Sequence, residues 1–270
     1  GDSHVDHQRE QRGHQEHTQT GCRAHRQRHG AGNQIGGDQQ NVGGFDDAER
    51  LAGQFDQNGV DEVRRKFFGT LYNTYSFFAL YANVDNFDPL SEPVPFAERP
   101  EIDRWILSCL ASMVKNVRTE LDSYDPTRAG RLIDAFVNDD LSNWYVRLNR
   151  KRFWGKEMSK DKLSAYETLY TCLMTVSKVL APFAPFFSDQ LYHDLGGQLS
   201  SVHLEVFPVS DQHTIDKELE ARMGIAQKIT SMVLALRRKV NVKVRQPLQQ
   251  IMIPAVDATQ KAHIEAVAGL

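Results

Sequence analysis

Asp139 to Trp154 reads DDLSNWYVRLNRKRFW. Drawn as a helix of about 3.6 residues per turn, this stretch and its approach put Val137, Leu141, Trp144, Tyr145 and Leu148 on one stripe. Arg147, Arg150, Lys151 and Trp154 fall on the stripe beside it. One face suits a protein core, and the next offers guanidinium groups, an ammonium and an indole, a set that fits an anionic, stackable partner such as RNA. The same pattern also describes an ordinary amphipathic helix with a solvated basic edge, so the flanking sequence has to decide. Asp139 and Asp140 mark either a kink or an acidic pair that orients nearby arginines. Arg152 points back toward the apolar stripe on a straight wheel, which predicts that the regular helix loosens before Gly155.

Helical spacing continues on both sides. Upstream, Thr127 is placed to cap a helix that carries Leu132, Ile133, Phe136 and Val137 into the quoted stretch. Before it, Pro100 is a good first-turn residue for a helix repeating Ile102, Trp105, Ile106, Leu110, Met113, Val117 and Leu121, which stops at Tyr124-Asp125-Pro126. Asn86 to Pro100, with Pro89, Pro93, Pro95 and Pro100, is expected to be a surface loop. Folded sequence begins near Asn58, a candidate N-cap followed by Asp61 and Glu62 in the first turn. Val63, Phe67, Leu71, Tyr75 and Phe78 then recur at helical spacing to about Tyr81. Downstream, Leu163, Tyr166, Leu169, Tyr170, Leu173, Val176 and Leu180 form a helix from about Asp161, broken by Pro182 and Pro185. Phe186, Phe187, Leu191 and Tyr192 suggest a short helix ended by Gly196-Gly197. Long, successive, amphipathic segments with almost no strand signal predict a mainly α fold, an antiparallel helical bundle over residues 58–197.

Residues 198–270 read as the start of a small α/β C-terminal region. Val202 to Val206 alternates like a short strand, and Leu248 to Pro254 looks like another. Between them Ile215 to Val240 reads as a helix, with Leu219, Met223, Ala226, Ile229, Val233 and Leu236 at the buried spacing. Its end is strongly basic: Arg237, Arg238, Lys239, then Lys243 and Arg245. The chain stops in a partial helix from Ala258 to Leu270, which looks like truncation. Residues 1–57 have another character: His4, His7, His14, His17, His25 and His29 crowd among Gln, Arg and Gly with few aliphatic side chains, a composition that predicts disorder. A different reading frame joined to a real domain would also give it. Cys22, His25 and His29 have a metal-like spacing but no second pair and no core to hold it.

Composition sets outer limits. The 270 residues can hold one large or two smaller domains, and the net charge of −3 means that any grip on a nucleic acid is a local patch. Three widely separated cysteines argue for a reducing compartment. No apolar run is long enough for a membrane span and no signal-peptide core opens the chain, so a soluble cytoplasmic protein is expected.

Several stretches together carry a resemblance. EVRRKFFGTLYNTYSFFALYANVDNF (Glu62 to Phe87), EIDRWILSCL (Glu101 to Leu110), FVNDDLSNWYVRLNRKRFW (Phe136 to Trp154), APFAPFFSDQLY (Ala181 to Tyr192) and KVRQPL (Lys243 to Leu248) resemble isoleucyl-tRNA synthetase, in that family's order and at roughly its spacing, from about Gln54 to Leu270. The valyl and leucyl enzymes share the bundle; SNWYVRLNRKRFW followed closely by APFAPFFS favours isoleucine. The resemblance implies a helical anticodon-binding domain, the part that follows the catalytic domain and holds the anticodon stem and loop of tRNA. It turns Arg147, Arg150, Lys151, Arg152 and Trp154 toward RNA with Trp144 packing beneath, and makes Arg237, Arg238, Lys239, Lys243 and Arg245 a second surface near the tRNA stem. It also implies a monomer partnered by isoleucine tRNA, with ATP and Mg2+ used by the complete enzyme and no cofactor or metal in this fragment.

The departures matter equally. No HIGH-like stretch is present, and the editing domain and zinc-binding tail have no counterpart. Lys156-Glu157-Met158-Ser159-Lys160 superficially resembles the KMSKS loop but lies inside the bundle, whereas the family's loop precedes it. It reads as a polar connection whose Ser159 caps the next helix. Neither amino-acid activation nor proofreading is therefore expected. A standalone RNA-binding module and a truncated product that folds poorly are the other readings.

Overall fold

The computed structural model describes residues 57–155, 157–255 and 257–267. The Cys22, His25 and His29 spacing and the disorder expected upstream of Gln57 lie outside them. Helix α1 (Gln57–Val63) runs through a π-helical segment (Arg64–Phe68) into α2 (Gly69–Asp85). Asn58 therefore lies within the first helix and does not cap it. After the proline-rich loop come α3 (Glu101–Asp122) and α4 (Pro126–Ala135), which continues through a second π-helical segment (Phe136–Val146) into α5 (Arg147–Phe153). Then follow α6 (Lys160–Leu180), α7 (Pro185–Asp194), α8 (Lys217–Lys239) and α9 (Ala258–Val267).

The helix starts follow local chemistry. Asp125, not the expected Thr127, caps α4: its Oδ1 accepts from the Arg128 N–H at 2.9 Å, with Pro126 in the first turn where its missing N–H costs nothing. Ser159 caps α6 by accepting from the Lys162 N–H at 3.1 Å, and Asp216 caps α8 by accepting from the Leu219 N–H at 2.9 Å. Tyr124, at φ 58°, turns the chain between α3 and α4. After α7, Gly196 takes φ 78°. At Gly197 the Tyr192 ring comes within 2.1 Å of where a Cβ would sit, so any larger residue would displace a fully buried tyrosine.

The π-helical segment ahead of α5 corrects the straight wheel. Its i→i+5 hydrogen bonding holds more residues per turn than an α-helix, so residues four apart stay aligned where α and π geometry meet. Val137, Leu141, Tyr145, Asn149 and Phe153 are all buried. Leu148, expected on the core stripe, is 53 % exposed instead. Arg152 turns inward, as its place on the wheel predicts, and the regular helix ends at Phe153, before Gly155.

Both expected strands are absent: among the described residues there is no strand. Val202–Leu204 is a single 3-10 turn, and residues 248–254 form no regular element. An alternating run becomes a strand only when a partner completes its ladder. Val202 finds a different anchor, burying its side chain while its N–H donates to Asp189 Oδ1 at 2.8 Å.

The core runs through Leu71, Trp105, Ile106, Val117, Leu141, Tyr145, Tyr166, Leu169 and Leu173, so α2, α3, α6 and the second π-helical segment share it. Fully burying a side chain of this size contributes roughly 1.5–3 kcal/mol. Helix α8 joins through Leu219 and Met223, and the Ser108 and Ser112 hydroxyls of α3 donate to Glu220 Oε1 at 2.6 and 2.7 Å. Farther along α8 the expected burial fades. Ile229 and Val233 are half-buried and Leu236 is 62 % exposed, although α9 packs along this helix.

Candidate functional site

Helix α5 lies over the core on Asn149 and Phe153. Phe153 is almost wholly enclosed, its ring 4.9 Å from that of Tyr166 and 5.1 Å from that of Phe77. With the underside fixed, Arg147, Arg150 and Lys151 project into solvent, and none has an acidic partner among the described residues. Trp154, next after the helix, is 58 % exposed. Three uncompensated cations and an open indole thus share one short segment. Trp144 is half-buried against the core, its Nε1 enclosed without an acceptor.

Arg152 has another task. Its Nη1 and Nη2 donate to Asp103 Oδ1 and Oδ2 at 2.6 and 2.8 Å, and Asp103 is fully buried. Tyr145 and Ser164 add hydroxyl donors to the same carboxylate at 2.8 and 2.6 Å. Arg152 Nε also donates to Asp161 Oδ2 at 3.0 Å. Burial alone would make the guanidinium easier to deprotonate, but the hydrogen bonds and charge of Asp103 reverse this and hold its pKa above the usual arginine value. The expectation that Arg152 faces RNA is corrected: its bidentate fork is spent inside the fold.

A second ion pair fixes the chain just past Trp154. The Lys162 ammonium, almost wholly buried, contacts Asp85 Oδ2 at 2.5 Å and donates to the Gly155 carbonyl at 2.5 Å, while the Tyr166 hydroxyl also binds Asp85. Burial pushes the Asp85 carboxyl up, yet the hydrogen bonds from Lys162 and Tyr166 and the Lys162 charge outweigh it and leave the group below its ordinary value. Glu220 is likewise lowered: the Lys217, Ser108 and Ser112 contacts overcome burial. A depressed folded-state value contributes stability above the unfolded value, near pH 4, and that stability is lost as pH falls through the folded value. The melting temperature is therefore expected to drop below about pH 4. Asp85→Asn, already less stable at neutral pH, should lose less on acidification. Parallel acid profiles for the two proteins would reject Asp85 as a source of the effect.

Among the described residues, neither acid of the Asp139–Asp140 pair holds an arginine. Asp139 is exposed, and Asp140 accepts from Gln227 Nε2 of α8 at 2.9 Å. Burial raises the Asp140 carboxyl despite that hydrogen bond.

Of the second basic group, Arg238, Lys239, Lys243 and Arg245 are exposed without an acidic partner among the described residues. Arg237 is partly committed: its Nη1 donates to the carbonyls of Lys243 and Gln246, both at 2.8 Å, and closes the turn after α8. Within the 156–160 run, helix α6 begins at Lys160. Ser159 is spent on its cap and Lys160 pairs with Glu98, so these groups do not form a nucleotide cradle. Among the described residues no group of three His, Cys, Asp or Glu side chains is placed to hold a metal.

A protein-family profile described as the anticodon-binding domain of tRNA ligase matches residues 103–253, from the caged Asp103 past the second basic group. The chain belongs to that family. Its relatives include isoleucine–tRNA ligases of Bacteroides thetaiotaomicron, 66 % identical over 222 residues, and Porphyromonas gingivalis, 62 % identical over 214 residues. That of Cytophaga hutchinsonii is 54 % identical over 222 residues. These alignments cover 79–80 % of this chain but only 19–20 % of each relative, so the chain spans about a fifth of the length of the curated relatives it matches. In this anticodon-binding domain, sequence reading missed Asp103 and Lys162 as the groups that hold α5 and the Trp154 turn in place. Asp103 was detectable: it shares the α3 stripe of Ile106 and Leu110, where a carboxylate needs a partner.

Proposed function

We propose that this chain is the part of an isoleucine–tRNA ligase that holds the anticodon stem and loop of isoleucine tRNA. The observation that carries this reading is the α5 surface: Arg147, Arg150, Lys151 and Trp154 stand free on a segment whose underside is locked into the core. Phosphates fit the free cations, and an unstacked base fits the indole face. The exposed Arg238, Lys239, Lys243 and Arg245 fit a second stretch of backbone along the tRNA stem.

Attachment of isoleucine using ATP and Mg2+ belongs to the rest of such an enzyme, working as a monomer in the cytoplasm. This chain alone activates no amino acid, a reading supported by the missing HIGH-like stretch and by the structural use of Ser159 and Lys160. The deciding experiment compares binding of an isoleucine tRNA and a leucine tRNA at near-physiological salt. Preference for the isoleucine tRNA is expected, with no pyrophosphate exchange when ATP and isoleucine are supplied. Equal weak binding of both tRNAs would reduce the proposal to a phosphate grip without selectivity, and clear exchange would overturn the claim of inactivity.

A further inference from the structure

A cleft of about 320 Å³ opens between the first turns of α3 and α8, away from any residue of α5, and is lined by Phe96, Arg104, His213, Thr214, Asp216 and Lys217 among others. Arg104 decides its character. The Nε of this guanidinium is buried and has no hydrogen-bond acceptor, and the side chain has no acidic partner among the described residues. A buried guanidinium N–H is seldom left unmatched in a folded protein without an ion or water to receive it.

The carboxylates close by are already engaged. Asp216 caps α8, Glu101 pairs with Arg222, and Glu220 takes both α3 serine hydroxyls and the Lys217 ammonium, the last at 2.7 Å. None of them contacts Arg104. The cleft therefore keeps an excess of donors, with Arg104 uncompensated at its wall, Lys217 shared with Glu220 and Ser112, and the exposed His213 beside them.

We infer that this cleft is an oxyanion subsite that takes a phosphate group, with Arg104 as its principal donor and His213 and Lys217 at its edge. A planar guanidinium presenting several N–H groups matches the oxygens of a phosphate. The source of that phosphate is either the RNA backbone or a free phosphate in solution. Only the first alternative rests on the function proposed above.

The test uses the full chain labelled with nitrogen-15 and inorganic phosphate titrated at constant ionic strength. The Arg104 Nε–H resonance, assigned by its loss in Arg104→Gln or Arg104→Lys, should shift saturably with phosphate while that of the exposed Arg65 does not follow. No shift, or one shared equally by Arg65, would overturn the proposal and leave water as the partner of Nε. Because the titration is made on the unaltered protein, a variant that folds poorly does not compromise it. The second arm adds isoleucine tRNA. If the RNA backbone is the occupant, tRNA displaces phosphate, and Arg104→Gln lowers the salt slope of tRNA binding by about one. If the variant loses the phosphate response and binds tRNA with unchanged slope, the subsite serves free phosphate. Loss of tRNA binding altogether, with the phosphate shift intact, would count against the proposed function and leave the subsite standing.

Discussion

Arg152→Ala is expected to destabilise the bundle by about 3–5 kcal/mol, the usual cost of leaving a buried carboxylate without its cation. For a domain of this size, that corresponds to a melting temperature lower by on the order of 10 °C. Asp103 is fully buried, so removal of the guanidinium leaves a charge served only by the Tyr145 and Ser164 hydroxyls. Adding Asp103→Asn to the alanine variant removes that charge and should recover part of the loss. Arg152→Lys should fall between, because an ammonium cannot reproduce the two-pronged contact. The decisive comparison is thermal melting beside tRNA affinity, measured at a temperature where each variant is folded. Lowered melting with unchanged affinity supports an internal role for Arg152. Unchanged melting with weakened binding would return Arg152 to the RNA-facing surface.

That contrast shows what the sequence could and could not reveal. Helix order was legible because apolar spacing is a property of the chain itself. Trp105, Ile106, Leu141, Tyr166 and Leu173 all fell on predicted stripes and are all buried. The position of Arg152 on its wheel already pointed inward, and Asp103 lay on the inner stripe of another helix. Pairing them required knowing that the two helices touch, which no spacing rule supplies. The π-helical segment was invisible for a related reason. Its geometry places Asn149 and Phe153 in the core and turns Leu148 outward, against the period assumed for the wheel. The strands expected at residues 202–206 and 248–254 failed because a strand depends on a partner that this part of the chain does not provide. Of the candidate surface, Arg147, Arg150, Lys151 and Trp154 were readable because exposure of long polar side chains follows directly from burial of the opposite face.

Stacking and charge on α5 can be separated by their response to salt. Trp154→Ala is expected to weaken isoleucine-tRNA binding by about 1–3 kcal/mol, roughly 5- to 150-fold, if an unstacked base rests on the indole. Its dependence on salt should stay as it was, because the indole releases no counterion. Replacing Arg147, Arg150 and Lys151 together with Ala should instead flatten the dependence of log affinity on log salt by about 2–3, each lost phosphate contact contributing roughly 0.7–0.9. Their exposure keeps these substitutions from disturbing the core, and unchanged melting temperatures check this. Trp154→Phe, which retains a ring, should keep most of the affinity. A charge variant that weakens binding while Trp154→Ala does not would mean that α5 grips phosphates without holding a base. If both variants bind as the unaltered chain does, α5 is a solvated basic edge. The RNA contact then falls to Arg238, Lys239, Lys243 and Arg245, which are exposed and without an acidic partner among the described residues. Their replacement should carry the salt effect apart from any share that belongs to Arg104.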